Sequence, residues 1–100
     1  MLDKRIKFDE RWDREDGTTV LWFIAPKEML LREYPDAVSM EISIECPTDN
    51  ISADYAYVEC SPTKYIEEDG CYSDYDWREI SLPYEEIVAL IRLAEESEMM

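Results

Sequence analysis

The chain contains no histidine and only two glycines, Gly17 and Gly70, in 100 residues. Without histidine the commonest general base is missing, so nucleophilic catalysis by serine or cysteine lacks its usual partner. A lysine base remains formally open, yet Lys64 is the only lysine after Lys27 and no motif surrounds it. Two isolated glycines cannot build a loop that wraps a phosphate in backbone N–H groups, which excludes nucleotide binding of that kind. Cys46, Cys60 and Cys71 are odd in number and contain no C-x-x-C pair, against both a disulfide framework and a zinc knuckle. They are expected as small buried apolar side chains in a reducing compartment, with a single bridge between two of them left open.

No stretch approaches the roughly 20 apolar residues that span a bilayer, and Met1-Leu2-Asp3-Lys4 lacks the apolar run of a signal peptide. A soluble protein of the cytoplasm is expected. Basic residues are also scarce after the first third. Residues 1–32 hold seven basic and seven acidic side chains, whereas residues 33–100 hold eighteen acidic against three basic (Lys64, Arg78, Arg92). The whole net charge of −15 therefore belongs to the later part. Such a surface is repelled by anionic lipid and by nucleic-acid phosphate, so neither membrane nor DNA is expected as a direct ligand. Its natural complement is a basic protein surface.

What is present is the composition of a folded globular domain. Apolar residues make 46% of the chain and aromatics 12%, unlike a disordered acidic tail. At this length one domain, 1–100, is expected. Ala37–Cys46 alternates Val38, Met40, Ile42, Ile44 and Cys46 with Ser39, Glu41, Ser43 and Glu45, the period of a half-buried strand. Pro47-Thr48-Asp49-Asn50 supplies a turn, and Ile51–Cys60 resumes with Tyr55, Tyr57 and Glu59 opposite Ala56, Val58 and Cys60, which predicts an antiparallel hairpin.

Upstream, Thr18–Ile24 is β-branched and aromatic without polar interruption, as for a strand in the middle of a sheet. Asp16-Gly17 marks a turn before it, and the charged segment Arg5–Trp12, with Ile6 and Phe8 on one face, pairs across that turn as an edge strand. Pro26 opens a short connecting helix over Lys27–Tyr34. Ser61-Pro62-Thr63 and Glu67–Gly70 read as loop, and Tyr72–Ile80 as a last strand with Asp74, Asp76 and Arg78 facing away from Tyr75 and Trp77. After Pro83, residues Tyr84, Ile87, Val88, Ile91 and Ala94, widened by Leu90 and Leu93, form the stripe of an amphipathic helix, with Glu85 and Glu86 in its first turn. The expected fold class is α+β in two layers: a mostly antiparallel sheet of four to five strands packed on a C-terminal helix, plus one short connecting helix.

Twenty-five acids guarantee some suggestive carboxylate pair, so such a pair carries no weight for acid–base catalysis. Glu67-Glu68-Asp69-Gly70 followed by Asp74 and Asp76 does not have the spacing of a calcium loop. No metal, no cofactor and no enzymatic activity are expected. The strand faces are more informative. Residues i and i+2 of a strand stand about 6.6–6.8 Å apart on one side, close to twice the ~3.4 Å rise per nucleotide along one nucleic-acid strand. Glu41 with Glu45, and Asp74 with Asp76, are thus carboxylate rows able to stand in for phosphates. The Glu67, Glu68 and Asp69 loop adds charge, and Tyr75 and Trp77, with Tyr55, Tyr57 and Tyr72, offer contact area. These nine residues, Glu41, Glu45, Glu67, Glu68, Asp69, Asp74, Tyr75, Asp76 and Trp77, form the expected partner-binding surface.

Small size, strong acidity, absence of catalytic apparatus and the run Tyr72-Ser73-Asp74-Tyr75-Asp76-Trp77 resemble in general character the nucleic-acid-mimicking inhibitors of phages and mobile elements, anti-CRISPR proteins among them. These inhibitors share no fold, so no residue role carries over. The resemblance implies a basic target such as the nucleic-acid channel of an effector nuclease. The alternative is a self-associating or accessory structural domain, in which the basic residues of 4–14 meet the acidic face of a second copy.

Overall fold

A computed structural model describes residues 5–26, 39–66, 71–74, 78–79 and 82–98, with 39, 62–66, 71–74 and 78–79 described by their backbone. The expected connecting helix over 27–34, the loop at 67–70 and residues 75–77 lie outside the described residues. The described elements form an antiparallel sheet and one helix, the α+β arrangement read from the sequence.

Strands β1 (Lys7–Asp13) and β2 (Thr18–Ala25) form the first hairpin. Its turn needs Gly17, whose φ of +87° lies in the left-handed region that side chains disfavour. Asp16 completes the turn, its Oδ1 accepting hydrogen bonds from the Thr18 N–H at 3.0 Å and from the Thr18 hydroxyl at 2.6 Å. Those bonds hold the Asp16 carboxyl below its ordinary pKa, the hydroxyl being the larger cause. β1 is an end strand of the described sheet, and its charge density and a register shift between Phe8 and Glu10 suit an edge that must not pair further.

β2 pairs with β3 (Ser39–Pro47), and β3 with β4 (Tyr57–Ile66), in register without interruption. The predicted hairpin of β3 and β4 is present, with two differences. Ala53–Tyr55 is a turn of 3-10 helix, so the returning strand starts at Tyr57 and Tyr55 stands in front of it. At its far end β4 runs through Ser61-Pro62-Thr63, which the sequence reads as loop. Pro62 sits where the outer partner of β4 changes, β6 (Arg78–Glu79) pairing with Glu59 and Cys60 and β5 (Cys71–Asp74) with Thr63–Ile66. A break in the outer ladder tolerates a residue without an N–H.

The single last strand expected over Tyr72–Ile80 is thus two short strands sharing one place beside β4. Arg78 lies four positions after Asp74, but their partners Cys60 and Thr63 lie only three positions apart. The slip of one residue puts Asp74 and Arg78 at ladder positions of opposite parity, where the strict alternation of the sequence expects a shared face. The sheet order β1-β2-β3-β4-β5, with β6 also on β4, makes a layer five places wide.

One face of this layer is apolar: Leu21, Phe23 and Ala25 of β2, Met40, Ile42, Ile44 and Cys46 of β3, and Val58 and Cys60 of β4. Helix α1 (Tyr84–Glu98) closes it with Leu90, Ile91 and Ala94, all buried, while Ile87 and Leu93 pack at the margin. Ile6 and Phe8 join from β1, and Phe8 meets Phe23 edge to face at 5.7 Å between ring centres. Tyr84, the first residue of the expected stripe, is instead exposed, and the nearby Asp54 carboxylate pushes its phenol pKa up. The last turn of α1 holds acids and no base, opposite to what the helix dipole favours. Arg11 compensates from β1, its Nη1 lying 3.5 Å from Glu98 Oε2. Cys46 and Cys60 are buried and form no disulfide, as the sequence predicts, and burial pushes Cys46 above its ordinary pKa. Cys71 is described by its backbone only.

Candidate functional site on the open face of the sheet

The helix covers one side of the sheet, and no described element lies over the other. Strand alternation and register together fix which residues lie on that side, Ser61 among them being fully buried. One row across the strands is Trp12, Val20, Glu45 and Tyr57, the next is Glu10, Trp22, Ser43 and Glu59, and the third is Lys7, Ile24, Glu41 and Ser61. Trp12, Ile24 and Tyr57 are large apolar side chains left exposed here.

The two tryptophans stack across β1 and β2 with ring centres 6.0 Å apart and planes 21° from parallel. Arg14, just beyond β1, places its guanidinium carbon 5.6 Å from the centre of the Trp12 ring and its Nη1 3.1 Å from Glu45 Oε1. Strand β2 lies between those two ends. Val20, on the open face yet only 2% exposed, sits where Trp12, Trp22 and Arg14 meet. β2 is therefore buried on both sides at its start and opens only at Ile24, as a central strand should.

Beside this roof is a concavity of about 230 Å³ lined by Arg14, Val20, Trp22, Ser43, Glu45 and Glu59. Ser43 makes its floor because it is the smallest side chain among larger neighbours. Glu41 and Glu45 flank it on the same strand at about 6.6–6.8 Å, while Trp22 and Glu59 stand directly opposite on the adjacent strands. Ser43 is 9% exposed, and its hydroxyl has no hydrogen-bond partner among the described residues. Glu59 likewise has no ion pair there. No three Asp, Glu or Cys side chains among the described residues converge closely enough to hold a metal ion. No helix among them is long and apolar enough to cross a membrane.

Of the nine residues the sequence nominates, Glu41 and Glu45 share this face, as the alternation requires. Glu45 is not simply offered to solvent, since Arg14 pairs with it. Asp74 stands opposite Thr63 in the β4–β5 ladder and is described by its backbone. Glu67, Glu68, Asp69, Tyr75, Asp76 and Trp77 lie outside the described residues. The helix acids Glu85, Glu86, Glu95, Glu96 and Glu98 belong to the covering layer, so the negative charge is divided between the two sides of the domain.

Sequence reasoning leaves Trp12, Arg14, Trp22, Ser43 and Glu59 out of the site. The alternation places Glu59 on a wet face, but which strand lies beside it depends on pairing between segments far apart in the chain. No protein family, curated protein or solved structure matches this chain.

Proposed function

We propose that the chain is a non-enzymatic binding protein whose open sheet face engages the basic nucleic-acid-binding surface of a partner protein and so keeps nucleic acid from it. The observation that carries this reading is the grouping of Glu41, Glu45 and Glu59 around Ser43, with Trp22 beside them, on a face that no described element covers. The sheet fixes the backbone beneath these carboxylates, so no main-chain ordering is added to the cost of binding, and adjoining aromatics supply the apolar contact that hot spots need. The net charge of −15 would speed encounter with a basic target and make it salt-sensitive. Self-association through the basic residues of 4–14 is weakened as an alternative, because Arg11 and Arg14 are already engaged by acids of their own chain.

The test separates this face from general acidity. A fluorescent arginine-rich peptide loaded with single-stranded DNA serves as a basic probe, and the protein is titrated against it. Displacement of the DNA is expected, weakening with salt. The pair E41K/E59K should reduce it by an order of magnitude or more, whereas E95K/E96K, with the same change of net charge on the helix, should matter much less. Equal losses from both pairs would mean that charge alone, and not this face, binds the probe.

A further inference from the structure

The concavity over Ser43 has a chemistry more specific than negative charge. Its volume of about 230 Å³ is below the ~300–1,000 Å³ of pockets that take whole small molecules. It suits one side chain. Its walls are the Trp22 ring, Val20, the Arg14–Glu45 pair and the Glu59 carboxylate, and its floor is Ser43, a side chain 9% exposed whose hydroxyl opens to the concavity without a partner among the described residues. An accessible hydroxyl on the floor and the Glu59 carboxylate beside it, neither with a partner among the described residues, are two acceptors open to a donor that arrives from outside.

Arg14 shows which cation these walls accept. Its guanidinium lies against one tryptophan, Trp12, while donating to one carboxylate, Glu45, at one end of the concavity. Trp22 and Glu59 offer a second combination of the same kind across Ser43, and Glu59 has no ion pair among the described residues. Resting on the docking role proposed for this face, we infer that the concavity over Ser43 receives an arginine side chain of the basic partner. The guanidinium lies against Trp22 and donates to the Glu59 carboxylate and the Ser43 hydroxyl, with the Arg14–Glu45 pair as its rim.

Arginine fits better than lysine for two physical reasons. Its planar head stacks on an indole face while its edge donates in several directions at once; an ammonium is a compact, strongly hydrated point charge. The carboxylates here are also spread around a floor and do not converge on a point, which suits a broad cation.

Two peptides of equal length and charge, one of arginine and glycine and one of lysine and glycine, distinguish the inference from the reading beneath it. Binding is followed by amide and indole chemical shifts of the isotopically labelled protein. The expected result is a roughly threefold or greater preference for the arginine peptide, with shifts centred on Ser43, Glu59 and the Trp22 indole. Glu59→Gln should abolish the preference while leaving weak binding of both peptides. If both perturb the open face equally, the arginine site is overturned and the docking face stands. If neither perturbs that face, both fall. The comparison on the unaltered chain does not depend on any variant folding.

Discussion

Arg14 and Glu45 are joined across an intervening strand: the guanidinium at the end of β1 reaches over β2 to the carboxylate on β3, Nη1 to Oε1 at 3.1 Å. This one contact ties the first hairpin to the second on the face without a helix and helps close Val20 from water. It also occupies one of the acids that a partner would use. Arg14→Gln is therefore expected to do two opposite things. It should lower stability by about 1 kcal/mol, the sum of a partly exposed ion pair and a cation–π contact. It should also raise affinity for an arginine-rich peptide, because a competing internal cation is gone. Urea unfolding and peptide titration read the two effects separately, and lost affinity would mean that the rim made by Arg14 contributes more to binding than its charge takes away.

Gly17 offers a clean test of backbone strain. A Cβ at this position meets nothing within 4 Å, so substitution creates no clash and acts only through its φ of +87°. Gly17→Ala should cost about 1–2 kcal/mol in urea unfolding with an unchanged m-value. A neutral result would mean that the turn relaxes into another conformation, visible as changed Thr18 and Thr48 amide shifts, since the Thr48 N–H donates to the Gly17 carbonyl at 2.8 Å.

The helix stripe divides where the structure divides it. Leu90 is 1% exposed and packs on the sheet, whereas Tyr84 is 55% exposed although both fit the same periodic pattern. Leu90→Ala is expected to cost about 2–5 kcal/mol through lost burial and a cavity, a large share of a small domain's ~5–15 kcal/mol. Tyr84→Ala should stay within about 0.5 kcal/mol, as surface changes do. Thermal or urea unfolding of the two variants side by side checks this order.

Two carboxylates make the first hairpin sensitive to acid. Asp16 is held below its ordinary pKa of 3.8 by the Thr18 hydroxyl and N–H, and Asp13 is held below 3.8 first by Arg11 and then by the Thr19 hydroxyl. A lowered folded pKa means that the stabilisation is complete above the ordinary carboxylate value and is lost as pH falls through the folded value. Amide shifts of Thr18 and Thr19 followed from pH 6 downward should thus move with midpoints below 3.8. Asp16→Asn should remove the Thr18 component. Midpoints at or above the ordinary value would mean that these hydrogen bonds do not persist in solution.

Local chemistry determined a good part of this protein. Strict alternation from Met40 to Cys46 decided which residues of β3 face the core, because a strand has period two whatever lies beside it. Asp16-Gly17 decided a turn, because only glycine adopts that backbone at little cost, and Pro83 with the apolar spacing after it decided a helix. Even the failures were local in origin. Pro62 reads as a strand breaker until its place between two partner strands is known, and the even alternation from Tyr72 to Ile80 conceals a slip of one residue against β4.

What the tertiary structure decided is adjacency. Trp12 and Trp22 are ten residues apart, Arg14 and Glu45 thirty-one, and Trp22, Ser43 and Glu59 lie on three different strands. A carboxylate on a wet face looks the same in sequence whether solvent, an arginine or a tryptophan stands beside it. That choice is made by register, and register is set where Leu21, Ile44 and Val58 pack in line on the covered side of the sheet. The apolar face thus dictates which polar side chains meet on the open one, at positions whose own identities contain no record of it.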